Sequence, residues 1–339
     1  MTIHDVAKKA GVSTATVSLI YNRTEHSMRL SEETRQRVLA AIAELGYQPN
    51  AGARSIRLKR YESIGINYAG EGDSISPGQF YTHVLEGIEN AVSNGDYLCV
   101  LGRATYTSKD IPKFLRMRCV DGFLALHCLN EATHQAALRA GIPLLTVNTR
   151  GPAGVPSILY DDADSMTRVL EQLWAKGHRH VAYLCSNTGH DSHLNRLRAY
   201  VDWTARHGLP SRVSPPWDIR PEGMADFFVW LRARLADPDP VTAIAVYDQH
   251  IFSEIIREQA LSRIAIPQML SAALCEFSPH RSFELDALKP AGMQYNPFEM
   301  GLMAGKAMVE HVALGKPLEN QIIRAKWCEG DTVRPIQAI

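Results

Sequence analysis

From residue 64 to residue 274 the chain repeats one pattern: a short apolar run, then an amphipathic stretch with helical spacing. The runs lie at 64–68, 97–101, 122–126, 144–147, 181–185, 243–247 and 270–274. Between two of them, Met166, Val169, Leu170, Leu173 and Trp174 line one helical face, which Gly177 ends. Strands buried on both faces read as uninterrupted apolar runs, and strands separated by helices pair in parallel. The pattern therefore predicts an α/β fold with helices on both faces of mostly parallel sheet. Ligands of such folds sit beyond the carboxyl ends of the strands. No G-x-G-x-x-G follows the first run and no G-x-x-x-x-G-K-[ST] occurs, which argues against a dinucleotide or P-loop nucleotide site.

Charge separates the first sixty residues from the rest. The 339 residues carry 36 basic and 36 acidic side chains, yet residues 1–60 hold ten basic and five acidic ones. A basic end on an acidic body suits a polyanion-binding module joined to something else. That end is not a solvated tail. Ile3, Val6, Ala7 and Ala10 share one helical face, and Thr2 stands where it can cap the helix. Gly11 suits a tight turn and Val12 its corner; Ser13 caps a second helix running to about Tyr21, with Val17 and Ile20 or Tyr21 inward. A third helix opens at Ser31 and buries Val38, Ile42 and Leu45 before Gly46 stops it. Helix, glycine turn, helix and a supporting third helix make a helix-turn-helix unit.

Other classes are disfavoured. Hydrophobic residues at 45% and charged residues at 21% are globular values. No apolar run reaches the ~20 residues a membrane span needs, and the start lacks a signal peptide's apolar stretch. The six cysteines show no C-x-x-C and read as buried thiols of a reducing cytoplasm. His178, His180, His190 and His193 cluster in sequence, but no cysteine or carboxylate set completes a metal site. Asp161, Asp162 and Asp164 suit the start of the helix they precede better than a catalytic pair, and a G-x-S-x-G elbow is absent. The expectation is a non-enzyme without metal or cofactor.

The residues themselves are more specific than the spacing. Thr2-Ile-His-Asp-Val-Ala-Lys-Lys-Ala-Gly-Val-Ser-Thr-Ala-Thr-Val-Ser18, Ser31-Glu-Glu-Thr-Arg-Gln-Arg-Val38, Leu45-Gly-Tyr-Gln-Pro-Asn-Ala51, Ala53-Arg-Ser-Ile-Arg57 and Ile64-Gly-Ile66 closely resemble the lactose-repressor (LacI/GalR) family of bacterial transcription regulators. The resemblance extends more loosely over the body, through Val120-Asp-Gly-Phe123, Gly141-Ile-Pro143, Lys176-Gly-His178, Val181-Ala-Tyr-Leu184, Asp248, Pro297-Phe-Glu-Met-Gly301 and Asp331-Thr-Val-Arg-Pro335. It implies an all-α helix-turn-helix DNA-binding domain at 1–48, a hinge helix or linker at 49–60, and an α/β periplasmic-binding-protein-like core of two Rossmann-like subdomains at 61–339. The first subdomain would take about 61–158 and 290–318, the second about 159–289 and 319–339.

On that resemblance, Thr14, Ala15 and Leu19 read base edges from the second helix, while Thr16, Ser18 and Asn22 hold phosphates. Thr2, Asn50, Ala53, Arg54, Ile56 and Arg57 complete the DNA contacts, with Asn50 capping the hinge and Ile56 wedging into the minor groove. Leu19 departs from the family, which often has arginine there. Leucine touches a thymine methyl but makes no bidentate contact to guanine. The plainer readings are a buried helix residue for Leu19 and a simple linker for the hinge. The effector residues implied are Phe80, Asn148, Tyr160, Arg196, Trp217, Asp248 and Glu276. Arg196 also suits a surface ion pair, Trp217 a filler, Asp248 a helix cap and Asn148 a turn. Leu274-Cys-Glu-Phe277 stands where the family commonly has Gly-aromatic-Asp, so Glu276 takes the aspartate's place with a longer arm.

Together these imply a cytoplasmic repressor, at the nucleoid when bound, that holds a pseudo-palindromic double-stranded operator as a homodimer. A small effector, a sugar or sugar derivative, would control its affinity. The chain ends soon after Pro335 without a terminal heptad extension, which predicts dimers over tetramers. The competing classes are a periplasmic-type sugar-binding protein without DNA function and a sugar-modifying enzyme.

Overall fold

The computed structural model describes residues 1–21, 30–48, 60–68, 78–103, 110–185, 190–216, 221–262, 264–278 and 288–336. The chain divides into two compact units, Met1–Glu62 and Ser63–Ile339.

The first unit holds helices α1 (Ile3–Ala10), α2 (Thr14–Tyr21) and α3 (Glu32–Leu45). Thr2 and Asp5 form a reciprocal capping box at α1: the Asp5 amide donates to Thr2 Oγ1 at 3.4 Å and the Thr2 amide to Asp5 Oδ2 at 2.8 Å. Gly11 ends α1 at φ +63°, a left-handed conformation that glycine adopts without steric cost. Ser13 Oγ accepts from the Thr16 amide at 3.1 Å, and Ser31 Oγ caps α3 through the Thr34 amide at 3.3 Å. Val6, Ala7, Ala10, Val17, Ile20, Val38 and Ala41 form the core. Two expectations change in detail. Ile42 and Leu45 are only partly buried, and Ala41 is the buried residue of that turn of α3. Tyr21 is exposed, edge-on to Tyr47 at 6.2 Å, and Ile20 is the inward residue.

The second unit contains two sheets. Its strands and helices follow in the order β1 (Ser63–Tyr68), α4 (Gly78–Asn94), β2 (Leu98–Gly102), α5 (Lys113–Met117), β3 (Gly122–Leu126), α6 (Glu131–Ala140), β4 (Leu144–Val147), β5 (Ser157–Tyr160), α7 (Asp162–Ala175), β6 (Val181–Leu184), α8 (Asp191–Arg206), α9 (Pro221–Leu235), β7 (Ala243–Val246), α10 (Gln249–Ser262), β8 (Ser271–Phe277), β9 (Ala291–Gln294), α11 (Pro297–Leu314), β10 (Gln321–Ile323) and β11 (Lys326–Cys328). One sheet runs β10-β5-β4-β3-β1-β2 and is parallel throughout. The other runs β11-β9-β8-β7-β6 and is parallel except for β11 against β9. Each sheet with its helices is a lobe.

All seven apolar runs lie on strands; β5, β9, β10 and β11 are additional. These four are three or four residues long, too short to show a period against their surroundings. Two of them correct the subdomain limits. β9, within the 290–318 assigned to the first subdomain, pairs with β8 in the second sheet, and β10, within the 319–339 assigned to the second, pairs with β5 in the first. The chain therefore crosses between lobes near 161, 295 and 324, and α11 and β10 are the parts of this tail that belong to the first lobe. It does so backbone to backbone. A Cβ at Gly87 would overlap the Phe298 carbonyl oxygen, and one at Gly301 the Val84 carbonyl oxygen. Glycine at both positions lets α4 and α11 come this close.

Candidate functional site

On α2, Val17 and Ile20 point into the core. Ala15 is exposed on the opposite side, and Ser18 and Leu19 are half-buried on its flank. Leu19 is thus not a buried core residue. Thr14 and Thr16 are half-buried, and Thr16 takes part in the cap through a 3.0 Å contact between its hydroxyl and that of Ser13. Thr2 is exposed and occupied in its capping box. Asn22, Asn50, Ala53, Arg54, Ile56 and Arg57 lie outside the described residues, as does Trp217.

In the second unit the remaining expected residues gather where the carboxyl ends of the two sheets meet. Phe80, on α4, stands edge-on to Tyr81 at 5.1 Å and to Tyr160 at 6.4 Å. Tyr160 closes β5, is buried, and tilts against Tyr295 at 4.0 Å; its hydroxyl accepts from the Asn296 amide at 2.9 Å. Burial pushes the Tyr160 phenol well above its ordinary pKa. Asn148 follows β4 at φ +56°, as a turn residue would, and its side chain also reaches inward, the amide donating to the Tyr81 hydroxyl at 3.0 Å. Asp248 follows β7 and caps α10, with Oδ1 accepting from the Ile251 amide at 2.9 Å. Burial raises its pKa against that hydrogen bond.

Arg196 is where the structure departs most from expectation. Its side chain on α8 has 0% exposure, so it is neither a surface ion pair nor open to a ligand. Nε and Nη2 donate to Asp162 Oδ1 at 3.1 and 2.6 Å, Nη2 also to Glu276 Oε2 at 2.5 Å and to the Tyr295 hydroxyl at 3.2 Å, and Nη1 to the Tyr247 carbonyl at 2.8 Å. Burial opposes the guanidinium's charge, but Tyr295, Asp162, Glu276 and Tyr247 outweigh it and hold its pKa well above the usual arginine value. Glu276 keeps 21% of its side-chain surface exposed. Burial drives its carboxyl up to about 7 although Arg196 pulls the other way.

A second cluster joins the two lobes. His127, directly after β3, stacks on His190 at 4.7 Å with the rings 6° from parallel. Tyr81 contacts His127 Nδ1 through its hydroxyl at 2.9 Å, and the same oxygen accepts from the Asn148 amide. His190 is the N-cap of α8: its Nδ1 accepts from the Ser192 amide at 3.3 Å. The His190 ring, with Nδ1 an acceptor, is therefore held neutral. Burial lowers each to a pKa of about 4, helped at His127 by its partner ring and opposed at His190 mainly by Asp191. The Arg150 amide donates to Asp191 Oδ2 at 2.8 Å beside them.

Asp162, Tyr247, Tyr295, His127 and His190 were not foreseen as site residues. His127, Tyr247 and Tyr295 each follow a parallel strand directly, a position that reads as ligand-facing in this architecture. Asp162 was grouped with helix-starting acids. Asp161 does cap α7, accepting from the Asp164 amide at 3.0 Å, but Asp162 turns inward to Arg196. Among the described residues no cluster of three or more His, Cys, Asp or Glu could hold a metal ion, and no helix is long and apolar enough to cross a membrane.

Comparison with known proteins fits this architecture. Residues 2–50 match the family model for bacterial regulatory proteins of the lacI family, and residues 170–333 that of the periplasmic binding protein-like domain. An HTH-type transcriptional regulator of Lachnoclostridium phytofermentans is 31% identical over 221 residues, 62% of this chain and 63% of that one. The chain spans less than two thirds of the curated relatives it matches at the top of the comparison. A lac repressor dimer solved with operator and the anti-inducer ONPF superposes with a TM-score of 0.81 at 20% identity, over 98% of this chain and 99% of that one. A CelR–cellobiose complex does so at 0.65 and 19% identity, over 98% and 100%. At these identities the structural likeness is one of fold: an N-terminal helix-turn-helix unit followed by two parallel-sheet lobes of the periplasmic-binding type. The chain thus carries a helix-turn-helix segment of the lacI regulatory type at its start and a periplasmic binding protein-like domain in its body.

Proposed function

We propose that this chain is a sequence-specific DNA-binding transcriptional regulator, a repressor whose hold on its operator is set by a small effector in the crevice between the two lobes. The observation that carries the reading is α2, capped by Ser13 after the Gly11 turn, with Ala15 on the face away from the core and Ser18 and Leu19 on its flank. A helix so placed after such a turn presents its outer side chains to the major groove. The protein would act in the cytoplasm as a homodimer on a pseudo-palindromic operator, at the nucleoid when bound. Domain limits of 1–48 and 61–339, with a DNA-dependent hinge at 49–60, go with this reading. About nine residues are too few for a stable isolated helix in water, so the hinge would form only with its mate on DNA.

A carbohydrate effector suits a crevice of tyrosines, carboxylates and amides, and the CelR relative was solved with cellobiose. Asn148, Tyr160, Phe80, Asp248 and Glu276 would line it, with Arg196 behind them. No catalytic role is assigned to any residue. Effector and operator affinities must be coupled reciprocally.

Selection from a randomised DNA library by the full chain tests the reading. Enrichment of a two-fold symmetric site is expected, as is a change of preferred base at one position per half-site for Leu19→Arg, which restores a guanine-type donor pair. Failure to enrich any sequence would overturn it.

A further inference from the structure

The helix that a helix-turn-helix unit lays in the major groove here carries no charge. All eight residues of α2, Thr-Ala-Thr-Val-Ser-Leu-Ile-Tyr from 14 to 21, are described, and none is a lysine, arginine, asparagine, glutamine, aspartate or glutamate. Those are the side chains that pair with base edges in the groove: arginine or lysine with guanine, asparagine or glutamine with adenine, an acid with cytosine. Val17 and Ile20 are buried in the core. The Thr16 hydroxyl meets that of Ser13 at 3.0 Å in the cap, and Tyr21 stands edge-on to Tyr47 at the far end of the helix.

What α2 offers away from the core is largely apolar. Ala15 is exposed, and Leu19 stands half-buried on the flank one turn further on. Residues four apart share a helix face and are separated by ~6 Å along its axis. Stacked bases repeat every ~3.4 Å. The two side chains therefore address base pairs about two steps apart when the helix follows the groove. The apolar group that a base edge shows in the major groove is the C5-methyl of thymine, and 5-methylcytosine carries the same group in the same place. The hydroxyls of Thr14 and Ser18 beside them can meet a donor or an acceptor, and so discriminate little between bases.

We propose that α2 reads pyrimidine C5-methyl groups, thymine first, at two positions of each half-site, one through Ala15 and one through Leu19. This rests on the reading of the chain as a DNA-binding regulator and names what that helix recognises. An apolar contact senses the methyl group and is largely indifferent to the oxygen or amine at C4. So 5-methylcytosine substitutes for thymine, and unmethylated cytosine or uracil does not. Losing the burial of one methyl group lowers affinity about fourfold. A site with cytosine at either position is thereby bound more tightly once that base is methylated.

The test is selection by the full chain from two randomised duplex libraries, one containing thymine and one containing uracil throughout in its place. The thymine library should enrich a two-fold symmetric site with T·A pairs fixed at two positions per half-site, and the uracil library should lose the preference at both. Fluorescence anisotropy on the selected duplex then follows single replacements. Uracil or cytosine for thymine at either position should weaken binding about fourfold, and 5-methylcytosine should recover what cytosine lost. Leu19→Ala should remove the sensitivity to uracil at one position and keep it at the other, and Ala15→Ser should do the converse. If a variant does not melt cooperatively, the wild-type protein decides with the cytosine and 5-methylcytosine duplexes: recovery supports the proposal and no recovery overturns it. Equal binding of the thymine and uracil duplexes overturns it. So does a loss with uracil that both variants retain at both positions, since that loss belongs to duplex stiffness and not to a contact. Protein that selects no sequence from either library overturns the regulatory reading itself, and the proposal with it.

Discussion

Arg196 shows how much one position depends on its surroundings. Taking a guanidinium and two carboxylates out of water costs several kcal/mol per ion, and only near-complete pairing recovers it. Here Asp162 and Glu276 supply the counter-charge, while the rings of Tyr247 and Tyr295 lie 4.7 and 5.5 Å from the guanidinium carbon. Arg196→Met would leave both acids facing each other without a cation. A loss of about 3–5 kcal/mol is expected, measured by urea unfolding of the full chain. A loss below about 1 kcal/mol would show that the acids simply protonate and that the arginine does not hold the floor together.

At the scale of elements, the contact between α4 and α11 joins the end of the first lobe's chain to its beginning. Gly87 and Gly301 face carbonyl oxygens of the opposite helix, and Val84, Ile88, Met300 and Ala304 fill the rest of the contact. Gly301→Val forces the helices apart against a backbone that cannot move out of the way as a side chain would. Overpacking of this kind costs about 1–3 kcal/mol. The variant should melt earlier by several degrees, and an unchanged Tm would refute the close approach. The helix-turn-helix unit relies on local devices instead. Its caps Thr2, Ser13 and Ser31 and its turn Gly11 are set within three or four residues of the groups they serve, which is why each was legible in the sequence. The short strands were not: β9 and β10 acquire their identity only from β8 and β5, far away along the chain.

For the whole molecule, the His127–His190 stack and the Arg150–Asp191 hydrogen bond tie the two lobes across the crevice. The stack requires neutral rings, since a proton on His190 Nδ1 would remove the acceptor that caps α8 and set a cation against both its partner ring and the helix's positive end. Both histidines titrate near 4 in the fold against about 6.5 in an unfolded chain. Their contribution is fully present above pH 6.5 and is lost as pH falls from 6.5 to 4, on the order of 3 kcal/mol each. Glu276, raised to about 7, acts in the opposite sense: its contribution is present below 4.5 and is lost as pH rises from 4.5 to 7. Denaturation between pH 4 and 7 should show His190→Asn, which keeps a capping side chain, losing less stability with acid than the wild type. Parallel pH profiles would contradict a neutral clasp.

What the sequence alone determined were the features whose causes are local. These are the caps, turns and apolar spacing of the three-helix unit, the apolar runs that become strands, and the type of residue at each strand end. From them the α/β class and the helix-turn-helix could be read. Tertiary structure decided which groups meet. Asp162 and Arg196 are 34 positions apart, Arg196 and Glu276 are 80 apart, and His127 and His190 belong to different sheets. Pairing at such separations depends on how the lobes close, and no local period encodes it. An arginine that in sequence suggests a hand extended to a ligand becomes, once two acids fold over it, the buried counter-ion beneath the site.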